Sequence, residues 1–392
     1  MALLIKKLFN LENLTYLTVF SLPLYLIKIK FSFISANLLE IMAGSVFLVW
    51  LFRRKNLLGA KLFYLNYGKY IICSGLIFLG FTLSTFLNGN YLRGLGIIKS
   101  WFLTPVIFLL VAGDAINREK IINVFKAYYF SAFFVALLAF LYLILGRVAY
   151  DGRLMAFFNS PNYLAMYLSP GIIIGIVLMR EEKSERLKTY LKSAMLAVIL
   201  AAFYFTYSYA AWMSVLAAVT AIFLIENKFS FKKILIMTVI LALLFFSQLK
   251  SYKLNDLLIS NQKTSLASRL VIWRSALKML GDNRISGIGP GNFQEKYLEY
   301  QKYYPPYPEW AAPHPHSLYL AFWLYGGMLS FLGFIGLVFY WFRDIFKFKN
   351  AVSFMAFGIM LYILIHGLAD TTYFKNDLAV VFWFCFLALK KG

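Results

Sequence analysis

The sequence is poor in charged residues, in cysteine and in histidine. Only 14% of its 392 residues are charged, whereas a soluble domain carries about 25%. The two cysteines, Cys73 and Cys385, lie in separate apolar runs, so a disulfide or a cysteine-based metal site is not expected. Histidine chemistry also has few candidates, because the chain contains only His314, His316 and His366.

Long apolar runs dominate the chain instead. Hydrophobic residues make up 61% of it, and runs of about 17 to 25 apolar residues bounded by charge are typical of transmembrane helices. No small-residue cleavage site follows Lys6 and Lys7, so no removable signal peptide is expected. We predict an all-α polytopic membrane protein with about twelve transmembrane helices. The predicted spans are 12–28, 36–52, 67–87, 96–113, 123–145, 161–179, 192–207, 209–225, 233–249, 317–341, 351–368 and 375–389.

Basic residues indicate how the chain crosses the membrane, because Lys and Arg favour the cytoplasmic side of short loops. This rule predicts that both termini are cytoplasmic. The short outer loops then hold only Lys28, Lys30, Arg93, Arg147, Arg153 and Lys375. Segments 180–192 and 226–233 are both basic, so a hairpin around "TYSYAAW" is expected between them. The net charge of +22 is therefore attributed to topology and to contact with membrane lipids, and no nucleic-acid partner is expected.

One predicted outer loop, residues 250–316, is far longer than a simple connection, and loops of that length are usually functional. Within it, "SRLVIWRSALKML" has apolar residues at helical spacing and predicts an amphipathic helix. We therefore divide the chain into helices one to nine (1–249), the large extracytoplasmic loop (250–316) and helices ten to twelve (317–392).

Two residues of this region are the leading catalytic candidates. His316 precedes the tenth span, where an imidazole could accept a proton from a hydroxyl or simply cap a helix. Arg269 lies on the loop helix, where a guanidinium could bind a substrate phosphate or an ordinary lipid phosphate. Arg274 is a weaker candidate of the same kind. His314 is expected to be a solvated loop residue, and His366 a packed core residue.

Other outer-face polar residues could bind substrate. Arg153, Asn159 and Asn162 lie at the start of the sixth span, although "NSPN" is also an ordinary turn and helix cap. Asp370, in the last outer turn, could orient a catalytic group or pair with an arginine. The sequence has no HExxH motif and no Cys/His set at ligand spacing, so neither a metal nor a cofactor is predicted.

Taken together, the motifs resemble the superfamily of bacterial O-antigen ligases and polymerases. The resemblance extends over nearly the whole chain. Five segments carry it: "RLMAFFNSPNYLA" (153–165), "TYSYAAW" (206–212), "SRLVIWRSALKMLGDNRISGIGPGNF" (268–293), "HPHSLYLAFWLYGGML" (314–329) and "HGLADTTYFKNDLAVVFW" (366–383).

The resemblance implies a GT-C-like, metal-independent glycosyltransferase of the bacterial cytoplasmic membrane. Such proteins transfer a glycan from undecaprenyl pyrophosphate to an acceptor hydroxyl on the outer face. The partners would be that donor, a glycolipid or glycan acceptor such as a lipid A core, and membrane lipids. His316 matches the family histidine, which activates or positions the acceptor, and Arg269 matches the loop arginine, which binds the pyrophosphate.

The chain departs from the family at two places. Where relatives often carry a second pyrophosphate-binding arginine, this sequence has Tyr209, and Arg153 is our candidate replacement. After Gly327, the histidine motif continues as Met328, Leu329 and Ser330, a change that we expect to affect helix packing more than chemistry.

Several functions remain open at this point. A ligase is slightly favoured over a polymerase that extends a lipid-linked repeat, and a protein O-glycosyltransferase is a third relative. A transporter of lipid-linked sugars is less favoured, because its class places charges at mid-membrane and breaks helices in related halves.

Overall fold

The computed structural model describes residues 10–31, 34–53, 59–181, 186–226, 265–305 and 310–390. Within these residues the protein is almost entirely helical. Its α-helices are α1 (Leu11–Phe20), α2 (Leu38–Arg53), α3 (Gly59–Leu87), α4 (Tyr91–Ile98), α5 (Thr104–Ala115), α6 (Ile122–Ile144), α7 (Pro161–Glu181), α8 (Arg186–Tyr204), α9 (Tyr209–Ile225), α10 (Ser265–Asp282), α11 (Phe293–Tyr300), α12 (Leu318–Ile345), α13 (Ala351–His366) and α14 (Asn376–Phe384). A π-helical turn, Lys99–Leu103, joins α4 to α5, and a 3₁₀ turn, Cys385–Leu389, extends α14.

The all-helical prediction is supported in the described residues, with one short antiparallel ribbon in addition. Strands β1 (Lys28–Phe31) and β2 (Ile34–Asn37) pair between α1 and α2, with Lys28 opposite Asn37. The sequence explains the ribbon in hindsight, because polar and apolar residues alternate in "KIKF" and period-two alternation favours a strand. The predicted first span, 12–28, therefore ends earlier, at a 3₁₀ turn over Leu22–Leu26.

In the part of the chain that the structure describes, six helical segments are long and apolar enough to cross a membrane, which agrees with a polytopic membrane protein. They are Gly68–Leu87, Tyr91–Ala115, Arg118–Ile144, Pro161–Arg180, Arg186–Tyr204 and Leu318–Ile345. Three shorter apolar helices, Tyr209–Ile225, Ala351–His366 and Asn376–Leu389, match predicted spans eight, eleven and twelve. The predicted ninth span, 233–249, lies outside the described residues, as do residues 250–264 of the predicted large loop.

The predicted hairpin around "TYSYAAW" is confirmed. Helix α8 ends at Tyr204 and α9 begins at Tyr209, and between them Tyr207 has a φ of 47°, which an α-helix cannot accommodate. An ion pair between Arg180, at the end of α7, and Glu226, at the end of α9, shows that these two helices finish at the same level. Because α8 starts next to the end of α7, α8 and α9 must run in opposite directions.

Helix α12 is interrupted at Gly327, where φ is 67° and ψ is −175°. The segment between α10 and α11 fills the interruption: the Met328 amide donates to the Ile285 carbonyl at 3.1 Å, and the Ile288 amide donates to the Leu324 carbonyl at 2.7 Å. These bonds replace helical ones, as irregular backbone within a membrane protein requires. The loop and the helix that follows His316 therefore form one packed unit.

Packing brings four segments of the chain together. Helix α12 lies along α3, while α13 packs on α9 and α7. The amide of Leu318, the first residue of α12, donates to the carbonyl of Gly367, just after α13, at 2.7 Å. The starts of α7 and α12, the turn between α13 and α14, and one face of α10 consequently converge on one region.

Candidate active site

The centre of this region is the carboxylate of Asp370, in the turn between α13 and α14. Asp370 is only 2% exposed. Its Oδ1 accepts a hydrogen bond from the amide of Thr371 at 2.8 Å and lies 3.1 Å from Nδ1 of His316. A buried carboxylate requires such partners, because burying an unpaired charge is costly.

Neighbouring residues hold the backbone of His316 in one conformation. Its φ of 46° is unusual for a residue other than glycine. The indole N–H of Trp273, on α10, donates to the His316 carbonyl at 3.1 Å, and the following residue, Ser317, caps α12 by accepting from the Leu320 amide. The His316 side chain keeps 23% of its surface exposed, so the ring remains accessible to a substrate.

Asp370 also decides the tautomer of His316. Burial by itself would raise the pKa of Asp370, but the hydrogen bond with His316 and the charge of Arg269 hold that pKa well below its usual range. Asp370 is therefore ionised and can only accept hydrogen bonds. Nδ1 of His316 must carry its proton, which leaves Nε2 with a lone pair that can accept a proton from a substrate.

Arg269 completes this centre from α10. Its Nη2 lies 3.8 Å from Oδ2 of Asp370, and 18% of its side chain is exposed. Trp273 follows one helical turn later, so one face of α10 supplies both the arginine and the residue that holds the His316 backbone. The amide of Asn162, at the start of α7, lies 3.5 Å from the same Oδ2. The structure thus brings His316, Arg269, Asp370 and Asn162 together, although they are far apart in the sequence.

The other four candidates lie outside this hydrogen-bonded centre. Arg153 donates from Nε to Oδ2 of Asp151 at 2.6 Å. Tyr209 packs edge-to-face on Trp212, with ring centroids 5.4 Å apart. Asn159 and Arg274 are exposed. Within the described residues none of the four is hydrogen-bonded to His316 or Asp370, so their role in binding substrate stays a prediction.

The expectation for His314 was wrong, whereas that for His366 is confirmed. His314 is not a solvated loop residue: its Nε2 is hydrogen-bonded to the Tyr163 hydroxyl at 2.8 Å, and its ring centroid lies 4.2 Å from that of His316. Burial, with the neighbouring His316, lowers the pKa of His314 to about 4, so this ring is neutral at physiological pH. His366 is 1% exposed and bonded to the Tyr362 hydroxyl.

Sequence reasoning also missed Tyr163 and the position of Lys375. The Lys375 ammonium lies 3.0 Å from the centroid of the Tyr163 ring. The only available signals were that Tyr163 directly follows Asn162 and that Lys375 shares the Asp370 turn. Neither signal says which way a side chain points.

One set of donors in this centre could accept a divalent cation. Nitrogen atoms of His314 and His316 and a carboxylate oxygen of Asp370 lie within 4.8 Å of one another. Two imidazoles and a carboxylate suit Zn²⁺, but Nδ1 of His316 is already committed to Asp370. Two residues separated by a single proline, plus an aspartate 54 positions away, do not resemble a metal motif in a sequence. Metal independence therefore remains a prediction of the resemblance.

A comparison with known protein families matches a part of the chain that includes this candidate site. The family model described as O-antigen ligase matches residues 194–335, which include Arg269 and His316. This match confirms the resemblance to the O-antigen ligase superfamily. Together with the apolar helices, it indicates a multi-pass protein of the bacterial inner membrane. No curated protein matches the chain.

Proposed function

We propose that this protein is a glycosyltransferase that transfers a glycan from undecaprenyl pyrophosphate to a hydroxyl of an acceptor sugar on the outer face of the membrane. The observation that carries the proposal is the dyad of His316 and Asp370, with Arg269 on the other carboxylate oxygen. A histidine held in one tautomer suits proton removal from a hydroxyl. A guanidinium beside it suits a leaving group that gains negative charge.

The reaction follows from these positions. Nε2 of His316 accepts the proton of the acceptor hydroxyl as its oxygen attacks the anomeric carbon of the donor. The new glycosidic bond forms while the bond from that carbon to the pyrophosphate oxygen breaks, and the electron pair stays on the pyrophosphate. Arg269 stabilises this charge, while Asp370 stabilises the protonated imidazole of His316. The proton then leaves to solvent, and no other group is consumed.

This chemistry requires no metal, because the guanidinium of Arg269 stabilises the negative charge that develops on the pyrophosphate. It does not by itself select the acceptor. We favour a ligase, which uses a terminal acceptor such as a lipid A core, over a polymerase, which uses another lipid-linked repeat. A shared centre would serve both, since the acceptor in each case is a sugar hydroxyl.

The test is transfer in vitro with the purified protein, an undecaprenyl-pyrophosphate oligosaccharide and EDTA. Wild type should release undecaprenyl pyrophosphate and lengthen the acceptor, whereas His316→Ala should lose both by roughly 10²- to 10⁴-fold. Thermal unfolding of the variant in detergent shows whether it folds. Parallel reactions with a core glycolipid and with a second lipid-linked repeat separate ligase from polymerase. Failure of the folded wild type with both acceptors, or full dependence on added metal, would contradict the proposal.

A further inference from the structure

Lys375 is a basic residue that the mechanism above does not use. It ends the turn that also carries Asp370 and immediately precedes α14. Its backbone amide donates to the Tyr373 carbonyl at 2.7 Å, which tightens the turn. Its side chain points inward: Nζ lies 3.0 Å from the centroid of the Tyr163 ring and donates to the Tyr25 hydroxyl at 3.3 Å.

Within the described residues, the ammonium of Lys375 has no acidic oxygen within ion-pair distance. Its contacts there include the face of the Tyr163 ring and the Tyr25 hydroxyl. Two other partly buried basic residues are in ion pairs, Lys69 with Asp344 and Arg180 with Glu226. Burial of an unpaired ammonium is costly, so its retention at this place calls for a reason.

Burial lowers the pKa of the Lys375 ammonium to about 8, although the negative charges of Asp377 and Asp370 act to raise it. An anion bound beside Nζ would relieve this penalty, because an opposite charge within a few ångströms favours the charged form.

Lys375 is connected to the catalytic histidine through two side chains. The hydroxyl of Tyr163, whose ring it covers, is bonded to His314, and His314 packs against His316. Lys375 and Arg269 are therefore two cations of a single cluster around the His316–Asp370 dyad. A pyrophosphate carries negative charge on two phosphate groups, and a single guanidinium neutralises only part of that charge.

We propose that Lys375 is the second pyrophosphate-binding cation of the active site. This inference rests on the proposed function. Lys375 would supply the positive charge that Tyr209 leaves missing, a role for which the sequence suggested Arg153, whose guanidinium is paired with Asp151. An ammonium has three donors on a flexible stem and binds phosphate as a point charge. It can therefore follow the β-phosphate as the pyrophosphate leaves, while Arg269 binds through its planar guanidinium.

The competing role for Lys375 is structural. The ammonium could serve only to hold the ring of Tyr163, and through it His314, in place. Such a cation–π contact stabilises the position of the ring. In that case its loss would disturb turnover without changing the affinity for a pyrophosphate, because no charge would reach the donor.

The experiment compares binding with turnover for Lys375→Met, Lys375→Arg and Tyr163→Phe. Binding of undecaprenyl pyrophosphate and of uncharged undecaprenol is titrated against the purified full chain in nanodiscs. Lys375→Met should weaken pyrophosphate binding about 10- to 100-fold, raise KM for the donor similarly and leave undecaprenol binding unchanged. Lys375→Arg should recover most of the affinity. Tyr163→Phe keeps the ring but loses the hydroxyl, so its effect should fall on kcat.

Lys296→Met is the matched control, because Lys296 is exposed on α11 and paired with Glu299. It should bind undecaprenyl pyrophosphate as wild type does. A folded Lys375→Met protein with wild-type pyrophosphate affinity would overturn the inference, as would a loss confined to kcat that matches Tyr163→Phe. If wild type transfers glycan normally in either case, the proposed function survives. A wild type that neither binds the lipid nor transfers glycan would reject both.

Discussion

The indole N–H of Trp273 donates to the backbone carbonyl of His316 across 3.1 Å. Through this bond α10 fixes the residue that immediately precedes the tenth predicted span. Arg269 lies one turn before Trp273 on the same helix, so the distance between the proposed phosphate-binding group and the proposed base is set by rigid backbone. Sites on rigid elements hold productive geometry better than sites on free loops.

Arg269→Lys should reduce kcat/KM nearly as much as Arg269→Ala does. A lysine keeps the charge but cannot present the planar pair of donors that matches a phosphate. We expect a loss of about 10²-fold or more in both variants, measured as release of undecaprenyl pyrophosphate. Arg343→Lys, at the far end of α12 from His316, is the control and should behave as wild type. Near-normal turnover by Arg269→Lys would count against direct contact with the pyrophosphate.

Asp370→Asn should lower kcat by roughly 10²- to 10⁴-fold. The asparagine amide can donate to Nδ1 of His316, which favours the tautomer whose Nε2 carries the proton and cannot act as a base. The affinity for the donor should change less than kcat, because Arg269 is still present. The comparison is Asp282→Asn, whose carboxylate bonds the Tyr300 hydroxyl outside the site. A fall in donor affinity alone would show that Asp370 positions the arginine instead.

The sequence predicts the helices of this protein better than its site. Apolar runs of membrane-spanning length determine α3, α6, α7, α8 and α12, and charge alone predicted the turn between α8 and α9. The β-ribbon was missed because most of its residues lie in the short connection between the predicted spans 12–28 and 36–52, where a short outer loop was expected.

The site was only half predictable, for a physical reason. Asp370 and His316 could be proposed because few ionisable residues border the apolar runs, so each one stands out. His314 was misjudged and the position of Lys375 was missed, since both side chains lie against Tyr163 and a sequence does not show side-chain direction at the end of a helix. Their burial comes from tertiary contacts with α7, more than 150 positions away for His314.

His314 should make the protein less stable as the pH falls. Its pKa is about 4 in the folded protein, against about 6.5 in an unfolded chain, so the unfolded state binds more protons between these values. The folded state should lose about 2 kcal/mol on this account between pH 7.5 and pH 5. Thermal unfolding in detergent across this range should show a shallower pH slope for His314→Gln than for wild type. Equal slopes would show that His314 is not held neutral.

Gly327→Ala should destabilise the protein and disturb the packing of α12 on the segment that follows α10. An added Cβ at Gly327 would lie 2.2 Å from the Ile285 carbonyl oxygen, and the φ of 67° at this position is strained for any side chain. The hydrogen bond from Met328 to Ile285 would have to break, so the interruption of α12 would lose one of the two bonds that join it to this segment. We expect a drop of several degrees in Tm together with a lower kcat. Gly281→Ala, on α10 with no atom within 4 Å of the added Cβ, is the control. If both alanine variants unfold at the wild-type temperature, the interruption of α12 does not depend on glycine.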